Sequence, residues 1–157
     1  MFLTRHASAG TRLESSSDDR LRRLDRSGRA DARALPSALA AHSVDRLVSS
    51  PHTRCLETVA PLARELGIAV ERREELAPDA SRNDTLALLA EFPETALVCT
   101  HREVFERLFR GEVTCEKGGT WIVERRGRRR VPVAYLPPPS VAIEPGRRAR
   151  RRVEARR

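Results

Sequence analysis

Three short apolar runs constrain this chain most, because each one stops at a polar pair. Leu3-Thr4 runs into Arg5-His6, Leu47-Val48 into Ser49-Ser50, and Ala96-Leu97-Val98-Cys99 into Thr100-His101. Between the runs, apolar residues recur at helical spacing, as in Leu56, Val59, Leu62, Ala63 and Leu66. Strands alternating with helices predict an α/β fold with three α/β/α layers around a mostly parallel sheet. Ligands of such sheets bind beyond the carboxyl ends of the strands. The three polar pairs are therefore expected to meet at one edge.

In detail, the pattern predicts strands over residues 1–5, 46–49, 68–72 and 96–99. A hairpin of residues 120–124 and 131–136 is expected around a turn at 125–130. Residues 7–27 are polar and read as a long loop at the active edge. Ser27 is expected to cap a helix over 28–41, with Pro36 delaying or kinking it. Pro51 suits the first turn of a helix that Gly67 ends. Residues 74–83 read as a loop, Asp84 as the cap of a helix over 86–92, and 102–109 as a further helix. Pro137-Pro138-Pro139 is expected to end a domain spanning 1–139, with 140–157 a basic, disordered tail.

Charge and composition narrow the partners. The 157 residues carry a net charge of +8, but residues 147–157, with seven Arg and one Glu, supply +6 of it. The body is only mildly basic, so the tail reads as a solvated terminus, with non-specific nucleic-acid contact its alternative. Cys55, Cys99 and Cys115 are scattered and form no C-x-x-C, which suggests neither a disulfide framework nor a zinc site. No apolar stretch reaches the roughly 20 residues that span a bilayer. The amino terminus lacks the basic and apolar regions of a secretory signal, so a cytoplasmic location with no membrane partner is expected.

Two imidazoles and two guanidiniums at one strand edge suit a phosphoryl group. Its oxygens need charge-assisted donors, which Arg supplies as a fork. Arg54, in the first turn of its helix, adds free backbone N–H groups. A neutral imidazole can attack phosphorus and form a phosphohistidine that water then cleaves, with no metal or cofactor required.

Arg5-His6-Ala7, followed by Ser50-Pro51-His52-Thr53-Arg54 and Glu57-Thr58, resembles the histidine phosphatase superfamily. Its motifs are R-H-G, then S-P-x-x-R-x-x-x-T, then G-H. The likeness covers roughly residues 1–136 and is nearest to the short SixA-type phosphohistidine phosphatases and to the C-terminal phosphatase domain of MutT-type Nudix hydrolases. Arg23-Leu24-Asp25 with Gly28-Arg29-Ala30 is similar to a further family segment, and Lys117-Gly118-Gly119-Thr120-Trp121 to a late strand entry of the MutT-type group. The resemblance implies a phosphoglycerate mutase-like fold, His6 as nucleophile, Arg5 and Arg54 on the phosphate, and His101 as the second pocket histidine. Lys117 reads either as a plain hairpin entry or as a cation leaning toward an anionic substrate.

The sequence departs from that pattern at three places. Ala7 and Thr100 stand where the family has Gly. Pro78 stands where many members carry a general-acid Glu, leaving Glu75, Asp79 or nothing in that role. Without an acid the leaving group must depart easily, as an imidazole or a nucleotide phosphate does. The implied function is a SixA-like protein phosphohistidine phosphatase. The alternatives are a phosphatase of nucleoside di- or triphosphates and a non-catalytic phosphate or nucleic-acid binder. His52 reads as a surface residue at a helix start, His42 as an ordinary helix-end residue, and Trp121 as packing.

Overall fold

Neighbouring residues of a strand face opposite sides of a sheet, and in the central strands both sides are apolar. β1 (Phe2–Arg5), β2 (Arg46–Ser49) and β4 (Ala96–Thr100) lie parallel and in register. One row, Leu47, Leu97 and Phe2, faces one helical layer. The next row, Val48, Val98 and Leu3, faces the other. Such double burial is why these runs are uninterrupted by polar residues.

The computed structural model describes residues 1–142. Its strands are completed by β3 (Val70–Arg72), β5 (Thr120–Arg126) and β6 (Arg129–Leu136). Together they form one sheet in the order β3-β2-β4-β1-β5-β6, with β5 and β6 antiparallel. The helices are α1 (Ser16–Leu21), α2 (Arg26–Ala38), α3 (Thr53–Leu66), α4 (Arg82–Ala90), α5 (Arg102–Leu108) and α6 (Pro139–Ala142). Leu35 and Leu39 join Val59 and Leu62 of α3 against one face of the sheet. Leu88 and Leu89 of α4 and Val104 and Phe105 of α5 cover the other. The expected α/β/α layering is what forms. Among the described residues no helix is long and apolar enough to cross a membrane.

The helix starts were misjudged wherever two cap residues competed. Asp25, not Ser27, caps α2, its carboxylate accepting the Gly28 N–H at 2.8 Å. Ser81, not Asp84, caps α4: its hydroxyl accepts the Asp84 N–H at 3.1 Å and donates to the Asp84 carboxylate at 2.6 Å, so the helix starts earlier than expected. Inside the expected loop of 7–27, Ser15 caps α1 in the same way. At Gly67 the reading held: the residue has φ 67° and ends α3.

The hairpin is tighter than expected. Arg125, Arg126, Arg129 and Arg130 are strand residues, and only Gly127 and Arg128 turn, Gly127 with φ 62°. A run of arginines is compatible with an exposed two-stranded ribbon, so charge alone did not mark a loop. Nor does the triple proline end the fold. The backbone N–H and hydroxyl of Ser140 both donate to the Asp31 carboxylate of α2, which holds α6 in place. Of the basic tail expected over 140–157, residues 143–157 lie outside the described residues.

Leu97 is fully buried in the central row. Leu97→Ala should lower the unfolding free energy by about 2–5 kcal/mol. That loss would be read as a lower urea midpoint with an unchanged denaturant slope.

Candidate active site

Because β2, β4 and β1 are adjacent and in register, their polar ends lie side by side. The ladder even continues past them: His6 N–H donates to Thr100 C=O and Ser50 N–H to Cys99 C=O, each at 3.0 Å. The His6 and His101 rings are 5.3 Å apart in an edge arrangement. Arg54, on the first turn of α3, is 3% exposed and joins them. Its Nε donates to His6 Nε2 at 3.3 Å and its Nη2 to His101 Nδ1 at 3.2 Å. Nη1 donates to the Asp19 carbonyl at 2.7 Å and pairs with the Asp19 carboxylate at 3.3 Å.

These contacts settle the tautomers, since a guanidinium can only donate. His6 Nε2 must accept, so the ring proton sits on Nδ1 and bonds the Ala7 carbonyl at 2.8 Å. His101 Nδ1 must accept too, so its Nε2–H donates to Ser50 Oγ at 2.8 Å. Ser50 Oγ is also hydrogen-bonded with His52 Nδ1 at 3.2 Å. Burial lowers the His6 pKa to about 3, with Arg54 and Arg5 adding to the shift. Burial, and then His6 and Arg54, push His101 lower still. His6 thus offers an unprotonated Nε2 to the pocket at neutral pH.

The family-like residues acquire physical reasons. Thr58, four residues after Arg54, donates to the Arg54 carbonyl at 2.6 Å and accepts the Ala7 N–H at 3.0 Å. Glu57 accepts the Leu24 N–H at 2.8 Å. Asp25 accepts the Ser8 hydroxyl and the Gly10 N–H, fastening the chain just after His6. Gly28 packs so tightly there that a Cβ would lie 2.0 Å from the Ser8 carbonyl oxygen. Ala7 fits where the family has Gly because it is buried among Ala9, Leu24 and Ala32 and needs no positive φ. Thr100 puts its hydroxyl on the Leu76 carbonyl at 2.7 Å, which ties the preceding loop to the sheet.

A cavity of about 180 Å³ opens above His6. Arg5, Arg12, Arg22, Arg54, Arg102 and Lys117 line it, together with Gly10 and one carboxylate, Glu103. The structure therefore brings His6, Arg5, Arg54 and Lys117 to one cavity. His101 is fully buried and does not line it, but contacts two of its lining residues, Arg54 and His6. Arg5 donates Nη1 to the Cys115 carbonyl at 2.8 Å, while its Nε is buried with no partner among the described residues.

Neither expected substitute for the acid reaches this cavity. Glu75 is held by Arg73 at 2.9 Å, and Asp79 lines a neighbouring cavity of about 370 Å³ with His52 and Pro78. His52 is the clearest correction among the histidines: it is 8% exposed, and its ring meets His101 at 4.7 Å. The Ser50-Pro51 turn folds it back over the strand ends. Five charged residues went unassigned in the sequence: Arg12, Asp19, Arg22, Arg102 and Glu103. A signal existed for Asp19 and Arg22 in the Ser15 cap and acidic first turn of α1. Glu103 follows His101 by two residues at the start of α5.

Residues 1–78, which hold His6, Arg54 and the segments that fasten them, match the family model described as histidine phosphatase superfamily (branch 1). The chain belongs to the histidine phosphatase superfamily. Among solved structures, the superfamily fold recurs in the protein histidine phosphatase SixA complexed with tungstate. That structure has a TM-score of 0.72 at 19% identity, over 89% of this chain and 97% of that one. A SixA-type protein from Agrobacterium tumefaciens gives a TM-score of 0.69 at 22% identity, over 87% and 96%. A Mycolicibacterium smegmatis 8-oxo-(d)GTP phosphatase is 32% identical over 155 residues, 88% of this chain and 48% of the relative. The chain thus spans about half the length of that curated relative.

Gly28→Ala should push Ser8 away from Asp25 and shift His6 with it. An ångström of misplacement costs about 100-fold in kcat, measurable as phosphatase turnover in a variant whose melting temperature is checked in parallel. The site also has a pH signature. His6 and His52, lowered to about 3 and about 4, and His101 with them, stay neutral in the fold, while unfolded histidines protonate below about 6.5. The unfolded state then binds more protons, so the stability present above pH 6.5 falls as pH drops toward 4. The urea midpoint should decline from pH 7 to pH 5, and less steeply in His52→Gln; parallel slopes would contradict this assignment.

Proposed function

We propose that this protein is a phosphatase that forms a phosphohistidine on His6 and acts on substrates with more than one phosphate, of the nucleoside di- or triphosphate class. The observation that carries this reading is the charge of the cavity: six cations face one carboxylate in about 180 Å³. Apart from Arg22, which pairs with Asp19 at 2.8 Å, they also fall into two tiers. Arg54 is buried and Arg5 half-buried beside His6, whereas the side chains of Arg12 and Arg102 are 70% and 60% exposed and Lys117 is exposed at the mouth. One phosphoryl group between Arg5 and Arg54 would satisfy the inner tier, including the partnerless Arg5 Nε. The outer tier then suits a second phosphate.

In this reading the terminal phosphorus approaches His6 Nε2, and Arg54 Nε turns its hydrogen bond from that nitrogen to a phosphoryl oxygen. Nε2 gives its electron pair to phosphorus as the bond to the leaving oxygen breaks. The Ala7 carbonyl keeps the proton on Nδ1 and steadies the ring that becomes cationic. Arg5 and Arg54 balance the charge on the equatorial oxygens. A nucleotide leaves as a stable phosphate anion, which fits Pro78 at the place of the missing acid. The Mycolicibacterium smegmatis relative, whose name is that of a nucleotide phosphatase, fits the same class.

A second reading keeps the chemistry and changes the substrate to phosphohistidine on a protein. It is favoured by the 370 Å³ cavity beside the catalytic one, which shares Arg12 with it and leaves room for a peptide segment. Rapid quench at neutral pH with labelled acetyl phosphate should leave alkali-stable, acid-labile label on the wild type and none on His6→Ala. A panel of nucleoside triphosphates, nucleoside diphosphates and a phosphohistidine protein then separates the two readings. Arg102→Gln should raise KM about tenfold for nucleotides, and a preference for the phosphoprotein would select the second.

A further inference from the structure

We propose that Glu103 is the base that activates water in the second half of the reaction, cleavage of the phosphohistidine. This rests on His6 being the nucleophile but not on which phosphorylated substrate is used.

Glu103 is the only carboxylate among the residues lining the cavity that holds His6. The other acids near the strand edge are occupied or face elsewhere. Asp19 is 6% exposed and shared between Arg54 and Arg22, at 3.3 and 2.8 Å. Glu75 belongs to Arg73, and Asp79 lines the adjoining cavity. Glu103 is tied much more loosely. Its one ion pair is Oε1 to Arg12 at 3.6 Å, and among the described residues its carboxylate accepts no hydrogen bond. It is near enough to both Arg5 and Arg54 that its charge favours their protonated forms. A carboxylate on the wall of a phosphate cavity repels the substrate's own charge, so binding gives no reason for it. A proton-accepting step does.

Once the first product has left, a water between Glu103 and the phosphoryl group completes the cycle. Glu103 takes one proton from the water, and the water oxygen forms a bond to phosphorus. The bond from phosphorus to His6 Nε2 breaks, and its electron pair returns to Nε2. His6 is restored as the neutral ring with its proton still on Nδ1, so it needs no further proton. The protonated Glu103 releases its proton to the departing phosphate or to solvent. Atoms and charge balance with water as the sole co-reactant.

The alternative is a purely structural role, in which Glu103 stabilises the first turn of α5 and anchors Arg12. The two differ in which half-reaction they affect. The test is rapid quench of Glu103→Gln with labelled acetyl phosphate, beside wild type, His6→Ala and Glu103→Asp. The proposal expects the quenched phosphoenzyme to rise toward one label per chain in Glu103→Gln. Steady-state turnover should fall by about 100-fold, with the rate of label incorporation nearly unchanged and Glu103→Asp in between. Slow incorporation with no accumulation would make Glu103 an acid or a binding residue and overturn the proposal. Wild-type turnover and label levels in Glu103→Gln would leave it structural and also overturn it. Undiminished turnover in His6→Ala would overturn the covalent mechanism itself, a result distinguishable from both. An unchanged melting temperature in Glu103→Gln ties the effect to chemistry rather than folding.

Discussion

Everything at the strand edge depends on one buried cation. Arg54 reaches His6, His101 and Asp19 with different nitrogens, and this single guanidinium sets where each imidazole keeps its proton. A guanidinium 3% exposed is costly to bury unless its donors are used. Asp19 supplies the compensating charge, and α1 exists in this chain to carry it there. Burial keeps the His6 ring unprotonated at neutral pH, and the hydrogen bonds decide which of its nitrogens faces Arg54. It also concentrates positive charge where the fold gains least from it, since Arg5, Arg12, Arg22, Arg102 and Lys117 share the same small volume. A phosphate dianion relieves that repulsion, so affinity for substrate and strain in the free protein have one source.

The architecture was legible because the strongest rule was also the simplest. Leu3, Val48 and Val98 in one row and Phe2, Leu47 and Leu97 in the other require cover on both faces, and a parallel sheet with two helical layers provides it. The edge position of His6, Ser50 and His101 followed from adjacency of three strands. The spacing from Arg54 to Thr58 was visible, but its reason was not. Only the fold shows Thr58 holding the backbone beside His6.

What escaped was decided by contacts between segments distant in the chain. His52 looked like a surface residue because helix-start histidines commonly are. Its burial comes from His101, 49 positions later, which no local pattern reports. Glu103 looked like one more charge on an exposed helix of an arginine-rich chain. Its placement over the cavity depends on β4 ending next to β1. Where competing caps stood two or three residues apart, as at Asp25 and Ser27 or Ser81 and Asp84, propensity could not choose between them. Tertiary partners such as Ser8 decided at Asp25.

The link between Asp31 and Ser140 has a mechanical reading. Asp31 holds the last described helix through Ser140 and also packs directly against Gly118. The Gly118 backbone N–H, in turn, bonds the carbonyls of both Arg5 and His6 at 3.1 Å. The contacts Ser140–Asp31, Asp31–Gly118 and Gly118–His6 thus form one continuous line from α6 to the His6 backbone. The last described helix and the His6 backbone are therefore joined by three short contacts as well as by the sheet.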